Sequence, residues 1–194
     1  MGEPDHPYVS RGGLKLAHAL GAFGIDPAGR VCADFGCSTG GFTDVLLRRG
    51  AGRVYAVDTG YGVLDWRLRN DARVVPLERT NAMHVTLPEP ASLIVIDAGW
   101  TRQAKVLPAA RRNLAAGGEV VTLVKPHYEV EAASLRKTRG VLPEAALAGV
   151  MERVRADVAA GGFRIVGEAD SPIRGSGEKN ARGNREVLLH LSPA

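Results

Sequence analysis

Cysteine is scarce: the 194 residues hold only two, Cys32 and Cys37. Their C-x4-C spacing matches no zinc or redox motif. A pair this close, in an apolar strand and the loop after it, reads as two reduced thiols of a cytoplasmic protein rather than a disulfide. Long hydrophobic runs are missing too. None approaches the roughly 18 residues of a membrane span, and Met1 to Pro7 has no signal-peptide core, so no membrane or secretory role is expected. The five histidines are scattered and suggest no metal cluster. There is no Gly-Lys-Ser/Thr, which excludes a Walker phosphate loop. Aromatic residues make up 5% of the chain, so no obvious base-stacking platform is expected.

What is present is ordinary for a globular domain: 45% hydrophobic and 24% charged residues, in a length that suits one core. The net charge of +4 fits a polyanionic partner without requiring one. Two segments concentrate it. Arg102, Lys105, Arg111 and Arg112 stand together with no acid among them, and Arg174, Lys179, Arg182 and Arg185 face Glu178 alone. Either segment can be a nucleic-acid contact or simply a solvated face.

Short apolar runs alternate with helical patterns. Val31 to Phe35, Arg53 to Asp58, Arg73 to Leu77, Leu93 to Asp97, Glu119 to Lys125, Phe163 to Glu168 and Glu186 to Leu191 read as strands. Arg11 to Ala22, Gly41 to Arg49, Val63 to Asn70, Val106 to Leu114 and Pro143 to Ala160 read as helices, with Pro108 in a first turn and Gly117-Gly118 and Gly161-Gly162 as stops. Near-continuous apolar strands with helices between them imply an α/β fold, a mostly parallel seven-stranded sheet covered on both faces. The last two strands are joined by a Gly-rich charged loop, so the last should run antiparallel. One domain over 1–194 is expected, with residues 1–24 as an N-terminal helical appendage.

The informative stretch runs from Asp34 to Asp44, Asp-Phe-Gly-Cys-Ser-Thr-Gly-Gly-Phe-Thr-Asp, directly after the first strand and opening a helix. Gly36, Gly40 and Gly41 give G-x-x-x-G-G rather than the G-x-G-x-x-G of a nicotinamide fold. Asp34 ahead of the glycines would repel a pyrophosphate but suits a cofactor carrying an amine and a sulfonium. Asp58 ends the next strand about 20 residues on, placed to grip ribose hydroxyls. Together these point to S-adenosylmethionine, with S-adenosylhomocysteine as product. Expected contacts are Asp34, Gly36, Cys37, Ser38, Thr39, Gly40, Gly41, Phe42, Asp58, Thr59, Thr80, Asn81 and Asp97. Asn81 could equally cap a short helix. Strand four ends at Asp97 and strand five at Lys125, charges that cost desolvation energy unless they pair.

An ordered set of motifs from Tyr8 to Glu186 resembles one family: Tyr8-Val-Ser-Arg-Gly-Gly-Leu-Lys15-Leu, the Asp34 to Asp44 loop, Tyr55-Ala-Val-Asp58-Thr-Gly-Tyr-Gly, Leu64-Asp-Trp-Arg-Leu-Arg-Asn-Asp71, Glu78-Arg-Thr-Asn81, Val95-Ile-Asp97, Leu123-Val-Lys125-Pro126 and Gly183-Asn-Arg-Glu186. The chain is similar to the TlyA (hemolysin A) branch of the FtsJ-like RNA 2′-O-methyltransferases. The resemblance implies a Rossmann-like class I methyltransferase fold, an RNA substrate, ribosomal RNA in particular, and a catalytic Lys-Asp-Lys-Glu tetrad on Lys15, Asp97, Lys125 and Glu186. Lys125 would be the base for a ribose hydroxyl, since burial beside a second ammonium favours a neutral amine. Arg11, Arg102, Lys105, Arg182 and Asn184 are the expected substrate contacts. His127 follows Lys125 closely enough to line the entrance or to serve structure alone, and for Tyr128 and Trp100 core or rim packing is a better reading than stacking on a base.

Two departures bear on this. Members of that branch usually carry a small N-terminal RNA-binding domain, which is expected to be absent here. After Asp97 they commonly read Val-Ser-Phe-Ile-Ser, where this chain reads Ala98-Gly-Trp-Thr-Arg102-Gln. A methyltransferase for a small-molecule hydroxyl or amine therefore stays open, as does a non-enzymatic cofactor-binding or membrane-active role. An enclosed acceptor pocket without basic walls would favour the former.

Overall fold

The computed structural model of the chain describes residues 6–99, 101–138, 140–175 and 183–194. Five helices and seven strands form its frame. The helices are α1 (Gly12–Phe23), α2 (Gly41–Arg48), α3 (Trp66–Arg69), α4 (Gln103–Asn113) and α5 (Glu144–Ala160). The strands are β1 (Val31–Phe35), β2 (Arg53–Val57), β3 (Val74–Leu77), β4 (Ala91–Ile96), β5 (Leu114–Val124), β6 (Phe163–Asp170) and β7 (Val187–Pro193).

All seven strands join one sheet in the order β3-β2-β1-β4-β5-β7-β6. Strands β1 to β5 pair in parallel, and β7 runs antiparallel to both β5 and β6, as the Gly-rich charged sequence between the last two strands implies. Alternate strand residues point to opposite faces. Ala33, Phe35, Ile94 and Ile96 pack with Val106, Leu107, Val154 and Val158 from α4 and α5. Cys32, Val54, Leu93 and Val95 pack with Leu16, Leu20, Val45 and Leu46 from α1 and α2. Covering both faces is why the strand sequences read as unbroken apolar runs. Both thiols are free and buried. Among the described residues no helix is long and apolar enough to cross a membrane.

Helix boundaries depart from the expectation in three places. Helix α4 begins at Gln103, so Pro108 lies inside it rather than in its first turn. Its start is fixed by the Glu129 carboxylate, which accepts a hydrogen bond from the Gln103 backbone N–H at 3.0 Å; a cap supplied 26 residues downstream leaves no local signature. The helix ends at Asn113, ahead of Gly117-Gly118. Those glycines lie within β5, where pairing jumps from Ala91–Leu114 to Leu93–Glu119 and Gly117 takes φ +71°. The Val63 to Asn70 segment shortens to α3, opened by Asp65, whose side chain accepts from the Arg67 N–H. Gly161 and Gly162 close α5 as read.

Sheet order positions the site. The chain leaves β1 for β2 on one side and returns to β4 on the other, opening a crevice beyond the carboxyl ends of β1 and β4. Because β7 is antiparallel, with Val187 opposite Val124, its first end meets the last end of β5. Glu186, just before β7, thereby reaches the edge where Asp97 and Lys125 follow β4 and β5.

Candidate active site

A cleft of about 660 Å³ occupies this crevice. Its floor is the turn between β1 and α2. Gly36 and Cys37 both donate backbone N–H groups to the Val57 carbonyl, at 2.8 and 3.1 Å, tying the turn to the end of β2. Gly36 takes φ +85°, and a Cβ there would lie 2.7 Å from the Asp97 carbonyl oxygen. Glycine is required on both counts. Ser38 is held at φ +48° by its N–H bond to Asp58 Oδ2 at 2.9 Å, while Asp58 Oδ1 accepts from the Gly60 N–H at 2.8 Å. A carboxylate has about four acceptor sites, so each Asp58 oxygen retains capacity for a ribose hydroxyl.

Gly36, Cys37, Ser38, Thr39, Gly41, Phe42, Asp58, Thr59, Thr80, Asn81 and Asp97 all line the cleft. Asn81 also accepts from the Met83 N–H at 2.9 Å, so it caps a turn as well as facing the cavity. Two expected contacts are placed otherwise. Gly40 is the N-cap of α2 at φ +101°, packed toward Leu64 and Leu68. Asp34 lies beneath the floor, fully buried, with Oδ2 accepting from the Thr43 hydroxyl at 2.7 Å and Oδ1 without a hydrogen-bond partner. The acid therefore makes no contact with the cavity.

Burial pushes the Asp34 carboxyl up to about 7, with Thr43 opposing and the Asp97 and Asp58 charges adding to the rise. An acid whose folded pKa is raised binds more protons folded than unfolded between its ordinary 3.8 and about 7. Its contribution to stability therefore falls as pH rises through that window. We expect the stability gained by Asp34→Asn over the parent protein to grow from pH 5 to pH 8, by about 2–3 kcal/mol. Glu129, raised to about 6 chiefly by burial, is common to both proteins and cancels in the comparison. A pH-independent difference in denaturant unfolding would contradict the assignment.

On the other wall stand two ion pairs. Lys125 Nζ lies 2.5 Å from Asp97 Oδ1, and Lys15 Nζ lies 2.5 Å from Glu186 Oε2. Lys15, Asp97 and Lys125 face the cleft, and Glu186, 3% exposed, sits behind Lys15. Lys15 is carried there by α1, which α2 approaches closely because residue 41 is glycine, where a Cβ would lie 2.8 Å from the Gly13 nitrogen; the Val9 N–H bond to Asp44 Oδ2, 3.0 Å, ties the entry of α1 to α2. His127 registers both ammoniums: burial, then Lys125, then Lys15 push its pKa down to about 4, leaving a neutral imidazole tilted on Tyr128 at 4.1 Å. The Lys125 ammonium stands 6.0 Å over the Tyr128 ring.

A model of the FtsJ-like methyltransferase family matches residues 8–186. The chain belongs to this family. Its relatives in the FtsJ-like group include the 16S/23S rRNA (cytidine-2′-O)-methyltransferase TlyA of Mycobacterium tuberculosis, 52% identical over 132 residues, which cover 66% of this chain and 49% of the relative. "Putative rRNA methyltransferase YqxC" of Bacillus subtilis is 41% identical over 191 residues, 95% of this chain and 65% of that protein. The chain thus spans about half to two thirds of these relatives. Among solved structures, "Putative hemolysin from Streptococcus thermophilus" superposes with a TM-score of 0.90 at 38% identity, over 99% of this chain and 69% of that one. The seven-stranded sheet is the class I methyltransferase fold expected from the motifs.

Of the expected substrate contacts, Arg11 lines the cleft. Arg102 is engaged by Glu131 at 2.5 Å, and Lys105 is exposed on α4; neither lines the cavity. Asn184 is taken up in fastening a loop: it accepts from the Leu142 N–H at 2.8 Å and donates to the Gly140 carbonyl at 2.9 Å. Arg182 and Trp100 lie outside the described residues. Three features escaped the sequence reading. Ser10 and Thr101 line the cleft, and so does Arg174, which the charge count had noted without assigning. Two residues after Thr59, Tyr61 is about 70% exposed, as is Trp66 at the start of α3, and the Arg79 guanidinium stacks on Tyr61 at 4.4 Å. Exposure of that kind is a tertiary property with no sequence signal. Among the described residues no group of three or more His, Cys, Asp and Glu could hold a metal ion.

Proposed function

We propose that this chain methylates a ribose 2′-hydroxyl of RNA, with S-adenosylmethionine as donor and ribosomal RNA as target. The observation that carries the reading is the pair of lysine–carboxylate contacts on the wall of the same cleft whose floor is the glycine turn. The floor suits the donor: Gly36 leaves room for close backbone approach, Asp58 offers lone pairs to ribose hydroxyls, and Thr80 and Asn81 flank the far end for an adenine. A cationic guest above it would draw the buried Asp34 toward its ionised form. When bound, the cofactor supplies an electrophilic methyl group on sulfur.

The chain's own residues do the rest. Asp97 holds the Lys125 side chain against the acceptor position. With the donor bound, Lys125 would take the hydroxyl proton as the oxygen–carbon bond forms and the donor's sulfur–carbon bond breaks, the bonding pair staying on sulfur as a neutral thioether leaves. Lys15, fixed by Glu186, donates hydrogen bonds that orient the acceptor oxygen, and alignment supplies much of the acceleration.

The cleft is open and carries Arg11 and Arg174 on its walls, which favours a polyanionic chain over an enclosed small acceptor. An RNA target also places its work in the cytoplasm, where ribosomes are, and the single-domain reading of 1–194 belongs to the same proposal. The test is transfer of a labelled methyl group to ribosomes, separated subunits and free ribosomal RNA. Label in RNA supports the proposal; calorimetric cofactor binding with all RNA unlabelled would leave a small-molecule acceptor as the better reading.

Tyr61 extends the RNA surface beside the cleft. Stacking on one base contributes about 1–3 kcal/mol, so Tyr61→Ala should raise KM for RNA roughly 10-fold with kcat and cofactor affinity unchanged. An unaltered KM would remove Tyr61 from the RNA path.

A further inference from the structure

We propose that Gly175 is a positioning residue of the methyl-transfer site: the side chain it lacks leaves the space in which the Glu186 carboxylate is held against Lys15. The inference rests on the reading of Glu186 as a member of the tetrad.

Most glycines whose replacement this fold would resist adopt left-handed backbone conformations, but Gly175 is not among them. Its φ lies outside the left-handed range, so no left-handed conformation calls for glycine there. Space does. A Cβ on residue 175 would lie 2.7 Å from Glu186 Oε1 and 3.4 Å from Glu186 Cδ. Ordinarily the end of a glutamate would swing aside. Here the carboxylate is almost fully buried, and its other oxygen lies 2.5 Å from the Lys15 ammonium, so any swing is taken from that contact.

The backbone has little freedom to retreat instead. The segment leaving β6 is laced to the segment entering β7: the Ser171 N–H donates to the Glu186 carbonyl and the Gly175 N–H to the Asn184 carbonyl, both at 3.0 Å. That second segment is fastened in turn. Asn184 bridges to residues 140 and 142, and Arg185 grips Asp170 with two bonds, at 3.0 and 2.8 Å, and Glu144 at 2.8 Å. A methyl group at position 175 is thus resolved at the carboxylate, and through it at Lys15, which faces the cleft while Gly175 does not.

The test is a double-mutant cycle of Gly175→Ala and Glu186→Asp, read as single-turnover methyl transfer to ribosomal RNA at saturating cofactor, cofactor Kd by calorimetry, and thermal midpoint. Gly175→Ala alone should slow transfer about 100-fold, the scale of a misplaced reacting group, with cofactor Kd unchanged. Aspartate is one methylene shorter and vacates the contested space, so the double variant should be no slower than Glu186→Asp alone, and its midpoint should show the same non-additivity. Wild-type speed in Gly175→Ala, or losses in the double variant that simply multiply, would overturn the proposal. Should Gly175→Ala fail to fold, a double variant that folds and matches Glu186→Asp supports it, and one that does not fold overturns it. Wild-type protein inactive on RNA would count against the proposed function, while the coupling of thermal midpoints would still decide the role of Gly175.

Discussion

Lys125→Ala is expected to lower the rate of methyl transfer by about 1,000-fold, the range for loss of a general base, with cofactor affinity held within about two-fold. The separation follows from the geometry. Lys125 stands at the end of β5 against the Asp97 side chain, and the backbone bonds that hold the glycine turn run to Val57 rather than to Lys125. The substitution leaves Asp97 without its cation, which costs some stability, so the rate is compared at a temperature well below both unfolding midpoints. Lys125→Arg separates two roles that alanine confounds. Arginine keeps the positive charge and can keep the contact with Asp97, but it does not surrender its proton in proteins. A proton-accepting Lys125 predicts that arginine is nearly as inactive as alanine. Recovery of most of the rate by arginine would mean that the charge, rather than proton transfer, is what the site uses.

Gly36→Ala is the second large effect, and it acts on folding and on the cofactor together. At φ +85° an added Cβ is strained in any surroundings, and here it would also meet the Asp97 carbonyl oxygen at 2.7 Å and Ala98 Cα at 3.2 Å. Both are backbone atoms and cannot rotate away. The turn must therefore part from the end of β4, at a cost of about 3 kcal/mol. Since the same movement displaces Asp97 and the N–H groups bonded to Val57, cofactor affinity should collapse with the stability. Gly21→Ala is the control. It lies within α1 with no atom within 4 Å of an added Cβ, and alanine there should stabilise by roughly 0.5–1 kcal/mol. Equal responses to the two substitutions, measured by denaturant unfolding and calorimetry, would contradict the account of the turn.

How much could be read before the structure follows from where each signal is stored. Strands β1, β2 and β4 were legible because burial on both faces writes itself as continuous apolar sequence, and Val31 to Phe35 agrees to the residue. The cofactor turn was legible because its glycines are demanded locally. The start of α4 was not, because its cap is the side chain of Glu129, brought there by the fold. Asp34 was visible as an acid ahead of the glycines, but its place under the floor depends on Thr43, on the following helix. Asp97 and Lys125 were visible as charges ending apolar strands, whereas Lys15 and Glu186 came from the family motif alone. That Glu186 stands behind Lys15, and that Gly175 presses on it, requires the antiparallel entry of β7 and cannot be read from spacing. Asn184 shows the converse: a residue of a shared motif whose side chain the fold uses to fasten two loops.

The central claim is the identity of the atom that receives the methyl group. Ribosomal RNA labelled by the wild-type protein and by Lys125→Ala, digested to nucleosides and resolved by mass spectrometry, tests it directly. The account predicts a single 2′-O-methylated nucleoside from the wild-type reaction and its near-absence from the variant. A methyl group on a base, or 2′-O-methylation undiminished by Lys125→Ala, would contradict it.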